Sequence, residues 1–288
     1  MKSRRIFALV VLVALALPCA ALAEQVSYIS PQCPRTPAGM EYFARGADFH
    51  FGRNGTPYSV SRAELCYEKA LRLGDSAAAI NLGDLYQGQR MNRYDTLYRH
   101  SFAVRAFEQA VAMGCPDGYL ALAGAYSMGF SPLDDAAKSL KYLQLAAERG
   151  SITGKGTYGK RLCGEGRDEK DDAKRARGLA LMEESLREGN GHVAPDLAME
   201  YRILGRAEDM IEALRQGCRL GSKESLSHLG DVYAGDWFYK QPRDEEYMRR
   251  IMTLRDSIQD KDPIKPISDF DTIIPPRPVV PVEKRGGR

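Results

Sequence analysis

The chain has no excess of charge of either sign once its first 23 residues are set aside. These residues carry three of the 41 basic side chains and none of the 38 acidic ones, which leaves 38 of each in the rest of the chain. Proteins that bind a nucleic-acid backbone normally have a basic surplus, because Lys and Arg neutralise the phosphates. We therefore expect no nucleic-acid partner.

Residue patterns typical of metal and catalytic sites are also missing. Residues 151–157 contain a Gly-Lys pair, but glycine follows Lys155 where a phosphate loop requires Ser or Thr. We therefore predict no catalytic residues, no metal and no cofactor, and we do not expect an enzyme. Four histidines are spread along the chain, and none lies at a metal-ligand spacing from a cysteine or a carboxylate: His50, His100, His192 and His228.

Long apolar runs are absent beyond the N-terminus. The run at residues 6–17 is too short for a membrane span, which takes about 20 residues. Three basic residues precede it, and the small-residue pattern Ala21-Leu22-Ala23 follows it, so we predict a secretory signal cleaved before Glu24. A lipid anchor at Cys19 is disfavoured because Pro18 precedes it. The protein is predicted to be periplasmic or secreted, without membrane insertion.

What the chain does contain is a motif repeated five times. An apolar or aromatic anchor and a small residue precede Tyr or Leu, and successive anchors lie 40, 36, 39 and 32 residues apart. This period is typical of stacked helical hairpins. Each anchor has a glycine eight positions upstream, which suits a left-handed helix cap. The anchors are Leu82, Leu122, Tyr158, Leu197 and Leu229, and the glycines are Gly74, Gly114, Gly150, Gly189 and Gly221.

The pattern Leu-Gly-x-x-Tyr-x-x-Gly, followed by a helix that ends in Ala-Ala-x-x-Gly, resembles the Sel1-like repeats, which are related to tetratricopeptide repeats. Residues 116–150 match it best, with Leu122, Gly124, Tyr126 and Gly150 in place. The resemblance implies an all-α, right-handed solenoid of about six antiparallel helix pairs, the first of them degenerate. The predicted organisation is a signal peptide (1–23), an extended arm (24–37), the repeat array (38–258) and a proline-rich tail (259–288).

The resemblance also implies a concave, partner-binding surface lined by the first helix of each pair. Partner-facing positions lie at fixed offsets from the anchors. Their mixture of acidic, basic and apolar side chains suits a protein partner better than a polyanion. The predicted partner-binding residues are Asp84, Gln87, Asp117, Ser127, Lys160, His192, Met199, Arg202, Glu224 and Asp231.

The tail combines prolines with apolar residues. Proline favours extended polyproline geometry and resists helix formation. A purely disordered tail would contain fewer apolar residues, so we expect Phe270, Ile273 and Ile274 to lie against the array or against a partner. A loose terminus is the open alternative.

Five cysteines remain after the predicted signal peptide, and in an oxidising compartment an odd number leaves at least one thiol free or paired with another chain. Cys218 falls in an apolar column and is expected to be buried. Cys33 lies in the arm and Cys66 on the second helix of the first pair, and a disulfide between these two is the preferred pairing.

Together these features favour a periplasmic protein that acts by stoichiometric protein binding. Secreted Sel1-like proteins with a proline-rich end resemble immunity proteins that neutralise lipase effectors of type VI secretion. An envelope adaptor or scaffold for a cell-wall or polysaccharide complex is the alternative. A hydrolase acting on β-lactams or peptidoglycan is least favoured, because the cysteines do not follow the regular pairing of the cysteine-rich Sel1-like proteins that bind β-lactams.

Overall fold

A computed structural model describes residues 31–88, 93–127, 135–235, 241–258 and 265–279. The predicted signal peptide lies outside these residues. All regular secondary structure within them is helical, and none of their helices is long and apolar enough to cross a membrane.

The described chain folds into a helical solenoid of six antiparallel pairs, each made of a first and a second helix, followed by a one-turn helix. A 3₁₀ turn, Gly191–Val193, precedes α9. The pairs are α1 (Pro37–Phe51) with α2 (Val60–Arg72), α3 (Ala77–Gly88) with α4 (Arg93–Ala112), α5 (Asp117–Ser127) with α6 (Ala136–Glu148), α7 (Ile152–Glu169) with α8 (Asp172–Arg187), α9 (Ala194–Ile203) with α10 (Ala207–Arg219), and α11 (Lys223–Tyr233) with α12 (Glu245–Ser257); α13 is Phe270–Ile273.

Local chemistry fixes where these helices begin and end. Ser151 caps α7 by accepting a hydrogen bond from the backbone N–H of Gly154, and Ser222 caps α11 in the same way. The glycine after each of the first five second helices turns the chain with a positive φ, 91° at Gly74 and 86° at Gly114, which L side chains rarely adopt. The recurring glycines therefore set the edges of the hairpins.

Small residues let the helices of a pair approach closely. A Cβ added at Gly159 of α7 would lie 2.6 Å from the carbonyl oxygen of Gly178 in α8. Consecutive first helices contact one another at every step of the array, whereas among the described second helices only α8 and α10 do so to a comparable extent. The array therefore curves toward its first helices, which line the inner side.

The tail packs against the second helices of the last two pairs. Phe270 and Ile274 are fully buried beside α10 and α12, and Ile273 is partly buried there. Residues 270–273 form a helical turn where the sequence predicts extended chain. The reason is local: the stretch 267–274 contains no proline, so its backbone N–H groups remain free to form the turn.

The disulfide joins Cys33 to Cys115, so the predicted pairing with Cys66 is wrong. The described part of the arm, from residue 31 onward, does not pack along α2, where Cys66 keeps a free, half-buried thiol. Instead it crosses the turns between pairs, where Cys115 directly follows Gly114. Cys163 and Cys218 are free and buried.

Candidate partner-binding face

One position of the first helices is exposed in all five regular repeats. It lies two residues after each anchor, whereas the residue just before it is buried in every repeat. This alternation means that the inner side of the array presents one exposed position per repeat to solvent. We call these residues the concave column: Asp84, Gly124, Lys160, Met199 and Asp231.

Most of the other predicted partner-binding residues lie at the surface. Ser127 and Glu224 are exposed, and Gln87, His192 and Arg202 are half-buried. Asp117 is the exception.

Asp117 is only 6% exposed, and its Oδ1 accepts a hydrogen bond of 2.6 Å from Ser151 Oγ. The prediction for Asp117 as a partner-binding residue is therefore wrong. It is the first residue of α5, and its carboxylate connects α5 to Ser151, the N-cap residue of α7.

One apolar part of the face is on α9. Met199 is 37% exposed and Ile203 is 45% exposed, one helical turn apart, with Arg202 between them. Methionine and arginine are enriched in protein interfaces, and exposed apolar side chains gain most from burial by a partner. We call Met199, Arg202 and Ile203 the α9 shelf. Ile203 lies outside the predicted partner-facing positions, and because Leu204 beside it is also apolar, no local pattern in the sequence marks Ile203 as exposed.

The shelf is bounded by a step in the array. When each helix is counted from the glycine that precedes it, α7 ends five residues later than α9, which corresponds to about 7 Å of helix. The projecting part of the α7–α8 hairpin carries Arg167 and Arg175, and both guanidinium groups bind the buried carboxylate of Glu200. This ion-pair cluster holds α9 against the longer hairpin and forms a polar wall beside the shelf.

The face carries charged side chains of both signs. Lys160 forms a 2.8 Å salt bridge with Asp196 on the next first helix. His192 lies 4.0 Å from Glu224, yet burial lowers the pKa of His192 because desolvation of the ring outweighs the carboxylate. The face therefore offers both donors and acceptors, without a field of one sign.

The opposite end of the face is polar. Tyr67 of α2 reaches between the first helices, where its hydroxyl lies 3.2 Å from His50 Nδ1 and accepts a 3.3 Å hydrogen bond from Asn81. Asp84 is exposed to water, but the protein surrounding it raises its pKa to about 6 by desolvation. The side chain itself reaches solvent, so the desolvation comes from the protein groups that surround the carboxylate on the concave face. One buried donor here, Gln87 Nε2, has no hydrogen-bond partner among the described residues.

One group of potential metal ligands comes together within the described chain: Cys33, Cys115 and Asp117. The two sulfur atoms are joined in the disulfide, so neither offers a thiolate. This group does not fit a metal ion.

No protein-family model matches the sequence, and no curated protein matches it. Solved structures do match. Immunity protein Pa5087 from Pseudomonas aeruginosa is 18% identical, with a TM-score of 0.65 over 85% of this chain and 91% of that one. Immunity protein PA5088 from the same organism is 17% identical, with a TM-score of 0.61 over 92% of this chain and 95% of that one.

A Sel1 repeat protein from Oxalobacter formigenes is 19% identical, with a TM-score of 0.55 over 77% of this chain and 88% of that one. The fold of the chain is therefore that of the Sel1-repeat solenoids. At these identities the likeness establishes the fold, and the residues of the concave face are this chain's own.

Proposed function

We propose that this protein is a periplasmic immunity protein that binds a secreted effector stoichiometrically through its concave face. The observation that carries the proposal is the concave column, which stays exposed in all five regular repeats while the residue before each of its members is buried. A solenoid exposes such a line on rigid helices, which positions it to contact one partner over many residues.

The chemistry of the face supports a protein partner. The α9 shelf supplies an apolar centre with an arginine, and salt-bridged and polar groups surround it. Interfaces with a buried apolar centre and a polar rim are typical of specific protein complexes. The resemblance of the sequence to secreted Sel1-like proteins makes a lipase delivered by type VI secretion the effector class we favour.

The fold supports the immunity role. Two of the solved structures that share it over most of their length are immunity proteins. A predicted signal peptide would place the protein in the compartment where an effector of the cell envelope acts. An immunity protein blocks its effector by staying bound to it and needs no catalytic turnover. A binding face built from repeats can supply such a role.

The test is a competition assay between an attacking strain and a host that lacks this gene. We expect deletion to sensitise the host, and we expect the intact gene to restore survival. Met199→Glu places a charge on the shelf and should abolish protection, since replacing a central contact weakens binding by about 30-fold or more. Leu65→Glu changes an exposed apolar residue on the second helix α2 and should protect like the intact gene.

Two results would overturn the proposal. Equal survival of the deleted and intact hosts would show that no delivered effector is neutralised. An envelope defect of the deletion strain in pure culture, without any attacker, would instead favour the adaptor alternative.

A further inference from the structure

The N-terminal arm follows an ordered path across the array. Thr36 Oγ1 donates a 2.7 Å hydrogen bond to the carbonyl of Leu73, just before the turn that leads into α3. The carbonyl of Pro34 accepts hydrogen bonds from both the backbone N–H and the hydroxyl of Ser76. Arg35 binds both carboxylate oxygens of Asp75, at 2.7 to 3.1 Å. Asp75 is fully buried, so this ion pair ties the arm firmly to the start of α3.

The next residues of the arm reach the two following pairs. Cys33 is bonded to Cys115 at the start of α5, and both are buried. Gln32 lies at the start of α7, close enough that a Cβ on Gly150 would come within 2.6 Å of its side-chain oxygen. Five residues of the arm therefore touch the N-terminal ends of three successive first helices.

A side-chain contact continues the connection between these helices. Asp117, beside the disulfide, accepts the hydroxyl of Ser151, which also caps α7. The arm thus links the starts of α3 and α5 by an ion pair and a covalent bond, and a buried hydrogen bond joins the starts of α5 and α7 directly. In a repeat array each pair otherwise contacts only its neighbours, so such a connection restricts how far the pairs can splay apart.

We propose that residues 32–36 form a strap, locked by the Cys33–Cys115 disulfide, which holds α3, α5 and α7 at their binding spacing. The concave face would then reach its binding geometry only after oxidation. The bond forms when two thiols give up two protons and two electrons to a disulfide-bearing oxidant of the thiol–disulfide oxidoreductase class, which becomes a dithiol. A reduced precursor inside the cell would keep a looser face.

The existence of the strap does not depend on the partner, whereas the proposal that it controls binding rests on the proposed function. Hydrogen exchange of oxidised residues 24–288 tests the strap alone. In Cys33→Ser we expect exchange to rise by about tenfold or more in the turns at 73–77, 113–118 and 150–155 together, because the arm detaches as one unit. Cys66→Ser removes a free thiol outside the strap and should leave all three turns unchanged.

Two further samples keep this test decisive. Wild-type protein reduced with dithiothreitol after folding should reproduce the Cys33→Ser pattern, which covers the case in which the variant folds poorly. Arg35→Ala keeps the disulfide and should raise exchange at the first turn alone. A change confined to the Cys115 turn in Cys33→Ser, or no change in any turn, would overturn the strap.

Affinity for the effector then tests the control of binding. We expect the dissociation constant of Cys33→Ser to be about tenfold or more above that of Cys66→Ser, since a face that is not held in its binding geometry loses affinity. Equal affinities with altered exchange would show that the strap exists but does not control the face. If no effector binds either protein, the proposed function fails while the exchange result still decides the strap.

Discussion

The buried guanidinium of Arg215 is the main link between the tail and the array. Arg215 is 3% exposed and donates hydrogen bonds to the hydroxyl of Tyr247 at 3.0 Å, to the carbonyl of Ile274 at 2.8 Å, and to Asp271. The guanidinium also lies 5.1 Å from the ring centre of Phe270. Replacing it with methionine keeps the apolar packing and removes the hydrogen bonds.

The magnitude follows from which partners lose their bonds. The Ile274 carbonyl becomes a buried acceptor without a donor, which costs about 1–3 kcal/mol. Tyr247 still donates to the Pro275 carbonyl, and Asp271 keeps two bonds from Arg219. The buried Nε of Arg215 has no hydrogen-bond partner among the described residues, so its removal relieves a small penalty. We expect Arg215→Met to lower the free energy of unfolding by about 2 kcal/mol.

Urea unfolding followed by circular dichroism measures this loss, and hydrogen exchange locates it. Exchange at Ile274, whose N–H bonds to the Phe270 carbonyl at 2.7 Å, should accelerate by about 30-fold as the tail releases. Arg219→Met is the matched control, because its partly exposed pairing with Asp271 contributes less than about 1 kcal/mol. Unchanged or increased stability of Arg215→Met would refute the reasoning that this arginine holds the tail.

Two further predictions concern the first helices. Gly159→Ala should destabilise the protein by about 1–3 kcal/mol in urea unfolding, because its Cβ would clash with the Gly178 carbonyl, whereas Gly124→Ala, with no atom within 4 Å, should be neutral or stabilising by up to about 1 kcal/mol. Equal effects of the two substitutions would contradict the close approach of α7 and α8. The Asp84 carboxyl should titrate at about pH 6 by carbon NMR. The pKa of Asp84 is higher in the folded than in the unfolded protein, so the free energy of unfolding should fall as the pH rises from about 4 to 6. Asp84→Asn should remove that pH-dependent loss of stability.

The repeats could be predicted from the sequence because their determinants are local. Gly74 and its counterparts fix the turns, and the periodic apolar positions fix the buried faces within each hairpin. The exposed column follows from the same register, since a helix anchored at Leu82 or Leu197 must present its second following residue away from the core.

The disulfide and the α9 shelf could not be predicted in the same way. Cys33 and Cys115 are 82 residues apart, and the path of the arm depends on contacts with three turns that no local pattern encodes. The burial of Asp117 follows from that path, because the arm covers the edge where α5 begins. Ile203 is exposed because α9 is shorter than α7, a difference that matters only once neighbouring pairs are stacked.

Both ends of the described chain attach away from the concave face. The arm binds the edge where first helices begin, and the tail binds the outer second helices α10 and α12. Solenoids bend readily because their pairs contact only their neighbours, and bending a binding face into shape reduces affinity. Contacts that tie successive pairs together away from the concave face restrict this bending without occupying the surface that a partner needs. The effector binding proposed above would benefit from such a preorganised face, and the arm and tail are positioned to supply this restraint.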